Sequence, residues 1–331
     1  MTDNKTVPPP ERRSAVETGQ RGIAVRHLTK RYGGLIAVND ASFDVPAGAV
    51  TGFLGPNGSG KTTTMRSMLA LTQPNSGTTL FDGRTIKQIP NPARTIGAVL
   101  DAGWLHSGRT VIETLRLVCL TTGLAKSRPE EMLETVGLTA VRQRRVGKLS
   151  LGMRQRLALA CVLAPDPAYL MLDEPMNGLD PEGINWLRTL MTGLARAGRG
   201  ILVSTHMIAE IDDLADNVVL IDRGRIIAAQ RTADLLRPVG RTETLVQSQD
   251  DQRLAQALSR DGVRVVAEPP YLRCACEAAL IGRTAITEGI VLLELRPEQT
   301  SLREYVLENT SGEFRAPGLP GSPESEASHG N

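Results

Sequence analysis

Hydrophobic and polar positions along this chain follow two patterns, one typical of strands and one typical of helices, which take turns along the sequence. Short apolar runs typical of buried strands occupy residues 23–28, 41–45, 49–54, 78–81, 96–100, 168–172, 200–204, 218–221 and 225–229. Helical periodicity covers 62–71, most of 111–164 with breaks near Gly123, Gly137 and Gly147, then 182–196 and 208–214. Strands interleaved with helices predict a mostly parallel core sheet that carries helices on both faces.

A second, smaller unit follows Arg237–Gly240, which has the composition of a linker. Its pattern predicts strand 243–248, helix 251–260, strands 263–267 and 271–277, helix 278–287, strand 290–294 and helix 300–309. We therefore expect a large α/β domain at 23–237 and a small α+β accessory domain of βαββαβ type at 241–311. The polar, Pro- and Gly-containing ends, 1–22 and 312–331, are expected to be disordered.

Composition narrows the possible functions. The 331 residues carry a formal net charge of +2, so no overall basic field favours a nucleic-acid partner. No run reaches the roughly 18 apolar residues that a membrane-spanning helix needs. The polar start lacks the apolar core of a secretory signal, which predicts a cytoplasmic protein.

A glycine-rich loop carries the strongest chemical signal. Residues 55–63 read Gly-Pro-Asn-Gly-Ser-Gly-Lys-Thr-Thr and fit the phosphate-binding pattern G-x-x-x-x-G-K-[ST]. Backbone N–H groups of such a loop face the phosphates, Lys61 reaches the β- and γ-phosphates, and the Thr62 hydroxyl binds Mg²⁺. The residues predicted to contact nucleotide are Gly55, Pro56, Asn57, Gly58, Ser59, Gly60, Lys61, Thr62 and Thr63. An accidental Gly-rich turn is the alternative, and the strand–loop–helix context disfavours it.

Two acidic residues follow a buried strand. A phosphate loop needs such a carboxylate elsewhere in the chain to hold the Mg²⁺ that accompanies the nucleotide. Asp173 ends the apolar run Tyr169–Leu172 and is predicted to be a Mg²⁺ ligand. Glu174 is predicted to polarise the attacking water. A surface Asp-Glu pair is the plainer interpretation. Ser150 and Gly152 begin an apolar helix, and by themselves indicate only a capped helix start that leaves its backbone open to an anion.

Taken in order over residues 23–230, these motifs resemble the nucleotide-binding subunit of ATP-binding cassette (ABC) transporters. The resemblance implies that Tyr32 stacks on adenine, that Ser150 and Gly152 belong to the signature that meets phosphate, and that Asp180 closes the D-loop. It also implies that His206 touches the γ-phosphate and acts in catalysis with Glu174 and Lys61.

The same resemblance implies a fold and a mode of action. The fold is a P-loop NTPase cassette with a parallel core sheet flanked by helices, an antiparallel β subdomain and a helical subdomain at about 102–164. Two cassettes, expected to be identical copies, would pair head to tail around ATP and Mg²⁺. The pair would power a separate integral membrane permease from the inner face of the membrane. The segment 300–310 resembles the end of ABC-2 type exporter cassettes, which favours export of a drug, an antibiotic or a lipid-like cargo.

Two departures from the family pattern stand out. Asp101 occupies the position where the family has Gln, and we predict that it binds Mg²⁺ or nucleotide as a hard oxygen ligand. In the signature, Leu151 replaces a Gly and Met153 replaces the Gln. Trp104-Leu105 follows Asp101 and forms either a docking patch for the membrane subunit or part of the core.

Alternative functions are a soluble ABC-type ATPase that acts on a nucleic-acid or ribosomal partner, and a small-molecule or nucleotide kinase. The first class usually has two cassettes or a long coiled-coil insertion, neither of which the sequence shows. The second leaves the segments around Ser150, Asp180 and His206 without a role.

Overall fold

A computed structural model describes residues 21–235 and 243–298, together with Leu302, Tyr305, Val306 and Thr310. The strands are β1 Gly22–Tyr32, β2 Leu35–Pro46, β3 Val50–Leu54, β4 Ser76–Phe81, β5 Ile96–Val99, β6 Tyr169–Asp173, β7 Gly200–Thr205, β8 Asn217–Asp222, β9 Arg225–Arg231, β10 Glu243–Ser248, β11 Val265–Glu268, β12 Tyr271–Cys274 and β13 Leu292–Glu298. The helices are α1 Lys61–Met68, α2 Pro92–Thr95, α3 Val111–Thr121, α4 Arg128–Thr135, α5 Leu151–Leu163, α6 Pro181–Arg196, α7 Thr232–Leu235, α8 Asp251–Arg260 and α9 Ala278–Glu288.

The central sheet has the strand order β5-β6-β7-β3-β8-β9, and only β9 runs antiparallel to its neighbour. Every residue of β3 is buried, which explains why Thr51 is its one polar side chain. Because β3, β6 and β7 are parallel neighbours, their carboxyl ends meet at one edge of the sheet. The segments that follow these strands, at 55–63, 173–174 and 206, are thereby brought together.

An antiparallel sheet in the order β2-β1-β4 covers the phosphate-loop side of the core. Its inner face packs on β3, with the rings of Phe43 and Phe53 5.4 Å apart. Helices α3, α4 and α5 pack against one another and form the helical region. The predicted cassette architecture, with its core sheet, antiparallel sheet and helical region, is confirmed.

The C-terminal unit forms an antiparallel sheet in the order β11-β12-β10-β13. Helices α8 and α9 cover one face, where Val246, Leu254 and Ile281 are buried in a shared cluster. The element order is β-α-β-β-α-β, as predicted, and the strand order is that of a split β-α-β fold. The domain boundaries themselves stay a prediction.

Two predicted helices differ in the structure. The helix predicted at 62–71 ends at Met68, because Ala70 adopts a left-handed φ of 54° and the Leu71 N–H donates back to Arg66 O at 2.9 Å. The helix predicted at 208–214 is wrong: only a 3₁₀ turn at Ile208–Glu210 forms. There the Thr205 hydroxyl donates to Glu210 at 2.8 Å and accepts from the Met207 N–H at 2.9 Å, which fixes a tight turn.

Some predictions fall outside the described residues. These are the linker 237–240, both terminal segments from 312 onward and before 21, and most of the helix at 300–309. Of that helix, Leu302 and Val306 are fully buried and belong to the same hydrophobic cluster as Leu235 and the helical region.

Candidate active site

The loop between β3 and α1 depends on its glycines. Gly60 has a φ of 108°, and a Cβ there would lie 2.4 Å from Ala37 O. A Cβ on Gly55 would lie 2.4 Å from Ile221 O. No side chain fits at either position, because backbone from β2 and β8 already touches the loop. The neighbouring strands therefore fix the path of the loop.

Lys61 lies inside this loop, with only 6% of its surface exposed. Its Nζ donates to Gly55 O at 2.7 Å and to Pro56 O at 3.2 Å, and it lies 3.4 Å from the Glu174 carboxylate. Burial lowers the pKa of the Lys61 ammonium, and the nearby Glu174 carboxylate opposes that shift. A positive charge is thus held at the base of the loop and faces one carboxylate.

Asp173 ends β6 and contacts two hydroxyl groups. The Thr62 hydroxyl donates to Asp173 Oδ2 at 2.5 Å, and the buried Ser204 hydroxyl at the end of β7 donates to Oδ1. Thr62 and Asp173, which are far apart in sequence, therefore present two hard oxygen ligands side by side. This donor set fits Mg²⁺, which takes one or two protein oxygens and completes its shell with phosphate and water.

Glu174 follows Asp173 in a left-handed conformation with a φ of 47°. Its N–H donates to Ser204 Oγ at 2.9 Å, and its carboxylate bonds His206 Nδ1 at 2.8 Å. Asn177 Nδ2 lies 3.5 Å from the same carboxylate oxygen. The carboxylate of Glu174 is thus held between a lysine and a histidine.

These groups border a cleft of about 630 Å³. Its lining residues are Tyr32, Leu35, Ile36, Ala37, Asn57, Gly58, Gly60, Lys61, Thr62, Thr63, Glu174, Arg223 and Gly224. Tyr32 is half exposed, and Lys30 Nζ lies 4.7 Å from the centroid of its ring. The structure therefore brings half of the predicted nucleotide residues, Tyr32 and six residues of the phosphate loop, to the lining of one cleft. Asp173 and His206 lie just behind the cleft lining: Asp173 is hydrogen-bonded to Thr62, and His206 is hydrogen-bonded to Glu174.

Seven predicted nucleotide residues do not line the cleft: Gly55, Pro56 and Ser59 of the phosphate loop, and four residues outside the loop. Asp101 is exposed two residues beyond β5, and its carboxylate accepts the Gly103 N–H at 2.7 Å. Ser150 caps α5 by accepting the Met153 N–H at 3.2 Å, and Asp180 caps α6 by accepting the Gly183 N–H at 2.8 Å. Gly152 lies in the first turn of α5. Their nucleotide roles stay predictions.

The segment 150–152, predicted to be the signature, packs on residues 178–179 of the predicted D-loop of the same chain. A Cβ on Gly178 would lie 2.1 Å from Leu151 Cδ2, and one on Gly152 would lie 3.3 Å from Leu179 Cδ2. Leu151, the residue that replaces a family glycine, therefore fills the space above Gly178.

Trp104 and Leu105 were expected to form either a docking patch or part of the core, and the structure places them differently. Trp104 is 53% exposed, whereas Leu105 is 7% exposed and packs in the core. Any docking role at this pair therefore belongs to Trp104.

Sequence reasoning missed several residues of the site. Ser204 bridges Asp173 and Glu174, and its only signal is a polar residue at the end of an apolar strand. Arg223-Gly224 gives the signal of a hairpin turn, but nothing in the sequence shows that this turn reaches the phosphate loop. Leu35 and Ile36, at the start of β2, also border the cleft, and their only signal was their position just after Tyr32.

Comparison with known proteins agrees with this geometry. Residues 38–177 match the family model described as ABC transporter, and residues 242–302 match a domain of unknown function, DUF8746. The bacitracin transport ATP-binding protein BcrA of Enterococcus faecalis is 36% identical over 216 residues, covering 64% of this chain and 70% of that protein. The daunorubicin/doxorubicin resistance ATP-binding protein DrrA of Streptomyces peucetius is 36% identical over 242 residues, covering 72% and 73%. A solved ATP-binding subunit of an ABC transporter superposes with a TM-score of 0.61 at 28% identity, covering 66% of this chain and 93% of that one.

A P-loop cassette with a buried lysine in its phosphate loop and an acidic pair at the neighbouring strand end is typical of proteins that hydrolyse ATP. The chain belongs to the family of ABC transporter ATP-binding proteins. It is therefore an ATPase subunit of a transporter. No helix within the described ranges has both the length and the apolar character to cross a membrane.

Proposed function

We propose that the cleft binds ATP with its base against Tyr32 and its phosphates in the loop 55–63. Lys61 then neutralises charge on the β- and γ-phosphates. The Coulomb attraction between them is strong because the site is buried. Glu174 orients the attacking water, and His206 holds Glu174 and faces the γ-phosphate. The observation that carries this proposal is the Glu174 carboxylate, which lies 3.4 Å from Lys61 Nζ and 2.8 Å from His206 Nδ1.

Thr62 and Asp173 are the proposed ligands of Mg²⁺, which when bound offsets phosphate charge during hydrolysis. Ser204 holds Asp173 from its other oxygen, so Oδ2 stays directed at Thr62. Asp101 is proposed as a further oxygen ligand, because β5 lies beside β6 and Val99 pairs with Leu172. Both carboxylates then follow neighbouring strand ends at the same edge of the sheet.

Two copies are proposed to pair head to tail, so that Ser150 and Gly152 of one copy meet the ATP of the other, and Asp180 lies at the seam. Support comes from the position of these residues outside the cleft of their own chain. The N-terminus of α5 has its cap at Ser150 and an exposed Leu151 beside it, so its first turn is partly open to an anion supplied by a partner.

The pair is proposed to work on the inner face of the cell membrane, with a separate permease as its membrane partner. Relatives that are named for bacitracin transport and for daunorubicin/doxorubicin resistance favour an exported antibiotic or drug as cargo. The exposed Trp104 is the proposed anchor for the permease, because a half-exposed aromatic beside the core suits an interface.

The test is Glu174→Gln, which keeps the size of the side chain and removes its charge. We expect turnover to fall by at least a hundredfold while ATP binding persists and a dimer accumulates with ATP, as sedimentation would show. Asp234→Asn, a carboxylate-to-amide change outside the cleft, is the control and should keep wild-type turnover. Full ATPase activity in Glu174→Gln would reject the assigned role.

A further inference from the structure

The turn of the β8–β9 hairpin forms part of the nucleotide cleft. Arg223 and Gly224 have φ values of 46° and 76°, the positive pair of a two-residue hairpin turn. The Gly224 N–H donates to Ser59 O at 2.9 Å, and Gly224 O accepts the Asn39 N–H at 2.8 Å. The turn is therefore fixed between the phosphate loop and β2, and it cannot move independently of either.

The position of Arg223 along the cleft follows from these contacts. A Cβ on Gly224 would lie 2.8 Å from Ala37 O, and one on Gly60 would lie 2.4 Å from the same oxygen. Ala37 thus joins Gly60 of the phosphate loop to the hairpin turn. Along β2, Ile36 and Leu35 continue from Ala37 toward the Tyr32 end of the cleft. The turn that carries Arg223 therefore lies between the Tyr32 end of the cleft and the phosphate loop, and Arg223 lines the cleft from there.

Charge distinguishes Arg223 from the other lining residues. The charged residues that line the cleft are Lys61, Glu174 and Arg223, and the first two pair with each other at 3.4 Å. Arg223 is exposed, and the described part of the chain gives its guanidinium no ion pair or hydrogen bond. Arg225, two residues on, differs: with the Asn39 amide oxygen turned toward it, its guanidinium donates at 3.0 and 3.2 Å.

We propose that Arg223 binds the nucleotide directly and donates to the α-phosphate of ATP. A guanidinium presents several N–H donors in one plane and suits phosphate oxygens, which are the most strongly accepting atoms in that part of a nucleotide. The inference rests on the proposed function, because it takes the cleft to hold ATP with its phosphates in the loop 55–63.

The experiment measures equilibrium dissociation constants of ATP, ADP and GTP for wild type, Arg223→Ala and the control Arg225→Ala. We expect Arg223→Ala to weaken all three nucleotides by the same factor, about tenfold, which corresponds to one exposed charge-assisted bond. Arg225→Ala should bind them as wild type does. Equal thermal midpoints for wild type and Arg223→Ala would show that the loss does not come from the fold.

Three results would overturn the proposal. Unchanged affinity for ATP would remove Arg223 from the site. Weakening of ATP without weakening of ADP would indicate a γ-phosphate contact, and a changed ratio of ATP to GTP affinity would indicate a base contact. Lys61→Ala tests the underlying site separately: if it binds ATP normally, the proposed function fails, whatever Arg223 does.

Discussion

Ser204 is expected to hold both acidic residues of the site in place. It is fully buried, and its single hydroxyl donates to Asp173 Oδ1 and accepts the Glu174 N–H at 2.9 Å. Ser204→Ala removes both bonds and leaves a buried N–H and a carboxylate oxygen without their partner. A bond to a charged group contributes about 1.5–3 kcal/mol and a neutral one about 0.5–1.5 kcal/mol. We therefore expect the free energy of unfolding to fall by about 2–4 kcal/mol.

Catalysis should fall as well, because Asp173 and Glu174 lose the contact that orients them. A displacement of about 1 Å in a reacting group costs on the order of a hundredfold in rate. Steady-state ATPase assays should thus show a loss of about ten- to a hundredfold. ATP affinity measured without Mg²⁺ should stay close to wild type, since Ser204 does not line the cleft.

Ser67→Ala is the matched control. Ser67 is also buried, but its hydroxyl has no hydrogen-bond partner in the described structure, so its removal should be neutral or stabilising. Chemical denaturation of the two variants compares the loss of a buried serine hydroxyl that has hydrogen-bond partners with the loss of one that has none. If Ser204→Ala loses no more stability than Ser67→Ala and keeps full turnover, the bridging role of Ser204 is refuted.

Two further predictions concern packing around the site. Gly178→Ala should lower the free energy of unfolding by about 1–3 kcal/mol, because its Cβ would meet Leu151 and its φ is 74°. Denaturation of the double variant with Leu151→Ala should recover the steric part, and no recovery would contradict the contact. Arg156→Met should cost about 1–2 kcal/mol, since the guanidinium lies 4.3 Å from the Trp186 ring and donates to Val136 O at 3.2 Å. A cycle with Trp186→Leu measures the coupling, and strict additivity would count against it.

The accessory unit shows how far pattern reasoning reaches without a motif. Alternation and helical spacing predicted its element order, because each element there has one apolar face toward a single small core. The segment 208–214 shows where the same reasoning fails. Its apolar residues recur at intervals of three, which suits a 3₁₀ turn as well as a helix, and the bonds of Thr205 decided between them.

The sequence by itself determined the chemistry of this protein. Three local patterns indicated it: a phosphate loop, an acidic pair after one apolar strand and a histidine after another. Each can be recognised from a short segment, because strand, turn and helix signals act over a few residues. Tertiary structure alone decided which side chains meet. Parallel pairing of β3, β6 and β7 placed Thr62 against Asp173 and Ser204 between the two acids, and the β8–β9 hairpin carried Arg223 to the cleft. Thr62 and Asp173 are 111 positions apart, and Ser204 is about 30 positions from the two acids, so no local periodicity encodes these contacts.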